Sequence, residues 1–280
     1  FLESDGHVGR GEAIGVYYTG ETTDTIVAQL EGVRREVEAG ATRDDIQSLL
    51  PPGGARNALD CAYWDLECKH SGQTIWQLLG LTPHRLQTVA TIGIGEPEAM
   101  AQAAEDYASF DKLKIKLDAE RPLDKLRAIR QRRPDATLII DVNQGWTRQM
   151  LLDHLGDLQA VGIAMIEQPL ARGADSELEG VSAGVPIGVD EGCLDLAEYH
   201  AVAGYYDVIN IKLDKCGGLT EALAIAQQAH RDGKTVMVGN MTGTSLSMAP
   251  SYVVGQWCEF IDIDGPVLLS EDVDDGLEYG

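Results

Sequence analysis

Residues 112–117 read KLKIKL, three lysines alternating with three apolar residues in a chain whose formal net charge is −23. Alternation at period two is the spacing of a β-strand, so Lys112, Lys114 and Lys116 share one face and Leu113, Ile115 and Leu117 the other. Like charges two residues apart on one face repel. A solvated sheet edge tolerates that repulsion in water, so this stretch alone leaves an edge strand and a functional strand equally open.

The flanking sequence narrows the choice. Short β-rich runs recur as TVATIGI (88–94), KLKIKL, TLIIDV (137–142), GIAMIEQ (162–168), PIGVDE (186–191), DVINIKL (207–213), TVMVGN (235–240) and EFIDID (259–264), and the segments between them have helical composition. At the ends of successive runs from the second onward, Lys116, Asp141, Glu167, Asp190, Lys215, Gly239 and Asp264 are 25, 26, 23, 25, 24 and 25 residues apart. That length holds one strand, one helix and two short loops, and eight strands alternating with helices close into a parallel barrel. About sixteen residues follow the eighth strand, too few for a complete eighth helix, so the expectation is a (β/α)7β barrel over residues 87–265 with a tail over 266–280.

Upstream, GGARNALDCAYWDLECKHSGQTIWQLLG (53–80) carries Ala58, Leu59, Ala62, Tyr63 and Leu66 at helical spacing. TTDTIVAQLEGVRREVEAG (22–40) reads as one capped helix, and GHVGRGEAIGVYY (6–18) has hairpin composition. Residues 1–86 are therefore expected to form a small α+β domain. The first residues, FLESDGHVGRGEA, have neither an initiating Met nor a signal-peptide pattern, and the expectation is that they lie inside a longer protein.

Apolar residues make up 44% of the chain and charged residues 24%, with no run approaching the length of a membrane helix. Five scattered cysteines without a CxxC pair fit reduced thiols in a cytoplasm. A pI near 4.5 argues against nucleic acid and anionic membrane as partners, because the field of the protein repels phosphate. Cations and small molecules are the expected company, and the reading admits a homo-oligomer.

In a βα barrel the loops at the C-terminal mouth converge on the axis, and ionisable residues recur at that point. Lys116 ends strand two, Asp141 strand three, Glu167 strand four and Asp190 strand five; Lys215 lies just beyond strand six, and Asp262 and Asp264 end strand eight. A lone Asp after a strand is usually a turn or N-cap residue. Recurrence at one structural phase argues otherwise. Three carboxylates from adjacent strands repel unless a cation lies between them, and an all-oxygen donor set favours Mg²⁺ over zinc. Strands two and six are diametrically opposed in a ring of eight, so Lys116 and Lys215 are expected to face each other across the metal. Two amines on opposite faces of a carbon acid can remove a proton from one side and return one to the other through an enediolate. Lys114, one pleat behind Lys116, would favour that lysine's neutral, basic form by like-charge repulsion.

Together, KLKIKL, IIDVNQGW, MIEQPL, GVDEG and NIKLDKCGGL resemble the successive strand-end motifs of the enolase superfamily, in its muconate-lactonizing-enzyme subgroup. ARNALDCAYWDLECKHSGQTIWQLLG is similar to the capping-domain helix of that superfamily and the turn after it. The resemblance implies an α+β cap over a (β/α)7β barrel, with the tail returning to the cap. Its Lys base with Mg²⁺ is a known pairing of this superfamily. IDIDGP (261–266) resembles the motif with which dipeptide epimerases hold a substrate ammonium, which would assign Asp262 and Asp264 to that group. The implied substrate is a dipeptide, L-Ala-D/L-Glu of the cell-wall peptide or a relative, inverted at its C-terminal residue. Asn143, Gln168 and Glu191, beside the ligands, would orient them, with Glu191 within reach of Lys114 or Lys215. Such relatives often carry Glu where this chain has Gly243 and Ser where it has Gly192, which bears on side-chain preference rather than on the chemistry.

Other reactions of the same subgroup are the rivals: N-acylamino-acid racemisation, o-succinylbenzoate synthesis and muconate cycloisomerisation, whose substrates lack a free ammonium. A Schiff-base lyase on the same barrel and a non-catalytic binding protein are the readings from other classes.

Overall fold

The computed structural model describes residues 1–279. Its first strands, β1 (Leu2–Ser4) and β2 (His7–Gly9), form an antiparallel hairpin, turning at Asp5 (φ +49°) and Gly6 (φ +79°). Two left-handed residues are what a tight Asp-Gly hairpin turn requires. The hairpin therefore begins upstream of the 6–18 segment. Four helices and a short fifth follow: α1 (Thr23–Gly32), α2 (Arg34–Glu38), α3 (Arg43–Leu49), α4 (Gly54–Ser71) and α5 (Ile75–Leu79). The single helix expected over 22–40 is two, broken at Val33 (φ −105°, ψ 4°). Gly72, at φ +66°, ends α4 before Thr74 caps α5. Gly9 and Gly11 let the N-terminal segment cross directly over α4, since a Cβ at either would lie 2.1 or 2.0 Å from a carbonyl oxygen of Ala62 or Ala58.

The remaining strands are β3 (Ala90–Ile92), β4 (Lys112–Lys116), β5 (Thr137–Asp141), β6 (Ile163–Glu167), β7 (Ile187–Val189), β8 (Val208–Ile211), β9 (Thr235–Val238) and β10 (Phe260–Ile261). They are parallel and adjacent in chain order, and Val89 N–H donates to Ile261 O at 2.9 Å, which closes the ring between its first and last strands. Helices α6 (Pro97–Asp106), α7 (Pro122–Arg132), α8 (Arg148–Val161), α9 (Leu196–Val202), α10 (Leu213–Cys216), α11 (Leu219–Arg231) and α12 (Ser245–Gly255) cover it. The crossover from β6 to β7 differs from the expected rhythm. It holds a short 3₁₀ turn, Asp175–Leu178, in place of a helix, and Gly173, Gly180 and Gly184 all take positive φ there. Among the described residues after β10 only a 3₁₀ turn, Gly265–Leu268, is formed.

Strand alternation separates two cores. Val89, Ile139, Met165, Val208, Met237 and Phe260 fill the barrel interior, while Leu113, Ile115, Leu138, Ile140, Ile209 and Ile211 pack outward against the helices. Helix α4 docks on the barrel beside β8. Its Arg56 donates to Cys216 O at 2.6 Å and pairs with Glu221, and its Asp60 accepts from Thr220 N–H at 2.9 Å and the Thr220 hydroxyl at 2.6 Å. Asp214 accepts from Ile14 and Gly15 N–H at 3.0 and 3.2 Å, so the linker between hairpin and α1 is tied to the same corner. Among the described residues no helix is long and apolar enough to cross a membrane.

Candidate active site at the barrel mouth

The parity that points Ile139, Met165 and Val208 into the barrel points every second residue beyond them the same way. On β4 these are Lys114 and Lys116; on β5, Asp141; on β6, Glu167; past β7, Asp190; past β10, Asp262 and Asp264. The register pairs Lys116 with Asp141 and Asp141 with Glu167, so three strands deliver charge at one level. Asp141, Glu167, Asp190, Asp262 and Asp264 are all buried.

Lys114 is the hub of these acids rather than a surface charge. Its Nζ lies 2.7 Å from Asp262 Oδ2, 2.8 Å from Glu167 Oε2 and 3.1 Å from Asp141 Oδ2, and it is 2% exposed. Burial opposes its charge, but Asp262, Glu167 and Asp141 outweigh that and hold its pKa well above the ordinary lysine value. Lys116, more open, donates to the same Asp141 Oδ2 at 2.6 Å and to Asn143 Oδ1 at 2.9 Å.

On the opposite side the structure departs from the expected pairing. Lys215 lies on α10, fully buried, donating to Asp190 Oδ1 at 2.7 Å, Asp190 O at 2.7 Å and Asn210 O at 2.9 Å. All three of its protons are used, and it stands behind Asp190 rather than across the barrel from Lys116. Lys212 takes the inward position: Val208 is in the interior cluster, Asn210 Nδ2 donates to Glu167 Oε1 at 2.7 Å, and Lys212 follows at the same parity with Nζ 2.7 Å from Asp190 Oδ2. Gly239 makes room for it, since a Cβ there would lie 2.9 Å from Lys212 Cε and 2.7 Å from Asn210 Oδ1. A count of about 25 residues from Asp190 lands on Lys215. Counting by twos from Val208 would have found Lys212.

The neighbouring polar residues organise this ring. Asn143 (φ +43°) and Gln168 (φ +36°) hold the left-handed backbone that favours glycine, directly after the acid-bearing strands. Asn143 donates its N–H to Asp141 Oδ1 at 2.9 Å and its Nδ2 to Glu191 Oε1 at 3.1 Å. Gln168 Oε1 accepts from Asp190 and Gly192 N–H at 2.8 and 2.9 Å, and Gly192 has no room for a Cβ, which would sit 2.8 Å from Val189 and 2.9 Å from Asp175. Glu191 meets Asn143 rather than Lys114 or Lys215. Burial, then Asp190, raises its pKa.

Charge in the arc is unevenly matched. Lys212 and Lys215 overcome burial to hold Asp190 well below the usual carboxylate range, and Lys114 and Lys116 overcome it to lower Asp141. Glu167 is instead pushed up to about 7, by burial and then by Asp141, and its Oε2 has no hydrogen bond although Lys114 lies beside it. Glu167 Oε2, met by the Lys114 ammonium alone, lies among carboxylate oxygens from three adjacent strands, and such an all-oxygen donor set fits a hard divalent cation. Among the described residues no three acids are already drawn together as metal ligands: the Lys114 ammonium stands among Asp141, Glu167 and Asp262, and Lys212 stands against Asp190. Around strand eight, Asp264 Oδ2 accepts from Thr91 N–H at 2.8 Å, and burial followed by the charge of Asp262 raises its pKa to about 6.

Comparison with known proteins gives this geometry a context. Residues 2–80 match the mandelate racemase / muconate lactonizing enzyme N-terminal domain and residues 98–273 the enolase C-terminal domain-like family. The chain is 40% identical over 281 residues to the L-Ala-D/L-Glu epimerase of Escherichia coli, covering 99% of this chain and 88% of that protein. It is 36% identical over 228 residues to the N-acetyl-D-glutamate racemase of a Pseudoalteromonas species, with 81% and 72% coverage. The solved dipeptide epimerase of Enterococcus faecalis, complexed with Mg and L-Leu-L-Tyr, superposes with a TM-score of 0.89 at 30% identity over 98% of this chain and 84% of that one.

Proposed function

Because this chain belongs to the mandelate racemase / muconate lactonizing enzyme group of the enolase superfamily, we propose that it is a Mg²⁺-dependent dipeptide epimerase inverting the α-carbon of the C-terminal residue. The observation that carries this reading is the pair Lys116 and Lys212, inward on opposed strands, flanking the carboxylates Asp141, Glu167 and Asp190. Those three acids are the residues that would hold the metal. When bound, the cation would supply positive charge against the developing enediolate and take over the acid charge that Lys116 and Lys212 now neutralise.

The chain's own residues do the rest. One lysine, neutral, takes the α-proton and leaves an enediolate; the other, as ammonium, returns a proton to the opposite face, so the carbon is inverted and the two lysines exchange protonation states. Lys114, fixed as a cation on the Lys116 face, shares Asp141 Oδ2 with it and so holds that carboxylate in place beside the base. Lys215 anchors Asp190 instead of acting as a base.

Two relatives act on glutamate compounds but differ at the amine, which is peptide-linked to alanine in one and acetylated in the other. Asp262 and Asp264 support the dipeptide, because two buried acids around one strand end suit a free ammonium and disfavour an acyl group. L-Ala-D/L-Glu is the substrate that fits both the acids and the E. coli relative. The test is α-proton exchange in deuterated water across a panel of dipeptides and N-acyl amino acids. Exchange and inversion of L-Ala-L-Glu are expected; turnover of N-acetylglutamate with none of any dipeptide would transfer the assignment to the racemase reading.

The same acids set a pH dependence. Asp264 is ionised above about 6 and neutral below it, so kcat/KM for a dipeptide is expected to fall as the pH drops through 6. Asp264→Asn should remove that inflection in a pH–rate profile. Persistence of the inflection in the variant would assign it to another group.

A further inference from the structure

We infer that Asn240, after barrel strand seven, is a positioning residue that aims the Asp262 carboxylate at the substrate amine. This deepens the functional reading above and rests on it. Asn240 Nδ2 donates to Asp262 O at 2.7 Å and lies 3.4 Å from Asp262 Oδ1, while Asn240 Oδ1 accepts from Thr242 N–H at 2.7 Å. The amide can take only this orientation, because a flip would set its oxygen against the Asp262 carbonyl and its NH₂ against a donor. Lys114 occupies Asp262 Oδ2 at 2.7 Å, so Oδ1, on the Asn240 side, is the oxygen left to meet an incoming ammonium.

The loop that carries Asn240 is built to hold this contact. Thr242 sits at φ +55°, a left-handed conformation that a β-branched residue rarely adopts. That backbone returns its N–H to Asn240 Oδ1. Gly265, following Asp264, packs so closely that a Cβ there would lie 2.9 Å from Gly243 O and 3.2 Å from Asn240 Oδ1. From the N-terminal domain, Glu12 accepts from Thr244 N–H at 3.0 Å and from the Thr244 hydroxyl, closing the loop from its other end. Asn240 itself is half-buried at the mouth, so its bonds hold little of the core together.

Asn240→Ala and the isosteric Asn240→Asp separate positioning from structure. With Mg²⁺ and L-Ala-L-Glu, Asn240→Ala is expected to raise KM up to about tenfold, the scale of one hydrogen bond, with kcat within about twofold of wild type and little change in unfolding temperature. Asn240→Asp, which sets a carboxylate against the Asp262 carbonyl and Oδ1, should raise KM further. If wild type turns over the dipeptide and both variants keep its KM, or if KM, kcat and unfolding temperature all deteriorate together, the inference is overturned. If wild type exchanges no dipeptide, the functional reading falls and this inference with it.

Discussion

Lys212→Ala is expected to lower epimerisation of L-Ala-L-Glu by about 10²–10⁴-fold, the usual contribution of a positioned base, without abolishing all proton exchange. Lys116 still faces one side of the α-carbon in that variant. The epimer presenting its proton to Lys116 should wash deuterium into the α-position without inverting, and the other epimer should not exchange. Lys116→Ala should show the mirror image. Lys215→Ala makes the decisive contrast: with both bases in place, the two epimers should exchange at equally reduced rates. Its main cost is stability, about 3–5 kcal/mol for removing one partner of a buried charge pair that includes Asp190 Oδ1. Measured by NMR exchange on each epimer and by chemical denaturation, single-epimer exchange in Lys215→Ala and two-epimer exchange in Lys212→Ala would return the second base to Lys215.

Chelation is expected to be equally severe. Treatment with EDTA should reduce exchange on both epimers to background, and Mg²⁺ should restore it, since the enediolate dianion otherwise forms beside Asp141, Glu167 and Asp190. A second readout does not depend on activity. At a hundredfold excess over its Kd, a ligand of the native state stabilises it by about 2.7 kcal/mol, so Mg²⁺ should raise the unfolding temperature of the wild-type protein. Glu167→Gln keeps the shape and removes the charge of the acid whose Oε2 has no hydrogen bond. That variant should lose most of the Mg²⁺-dependent shift. Full activity in EDTA together with no shift in the wild type would exclude the assignment of these acids to a metal.

The strand runs and their rhythm were legible because each rests on neighbours in the chain. Apolar alternation marks a strand locally, and a period near 25 residues announces one strand and one crossover at a time. Glycines at 173, 180 and 184 were visible too, but composition could not say that they replace the fourth crossover helix with a 3₁₀ turn. Lys215 shows the limit of counting. Crossovers differ in length, so a spacing of 25 fixes the unit and not the residue; the short helix Leu213–Cys216 turns Lys215 back toward Asp190 while Lys212 keeps the strand's parity.

From the sequence alone follow the eight strands, the barrel and the strand ends that carry acids, because backbone alternation and helix spacing are set within a few residues of each position. Tertiary structure decided which charges meet. Lys114 and Asp262 are 148 residues apart and touch only because the first and last strands close the ring. Pairing of barrel strands seven and eight brings Asn240 to Asp262, and the parity of strand six points Lys212 rather than Lys215 inward. KLKIKL thus announces a strand with a charged face by itself, and the acids delivered by other strands make that face an interior one.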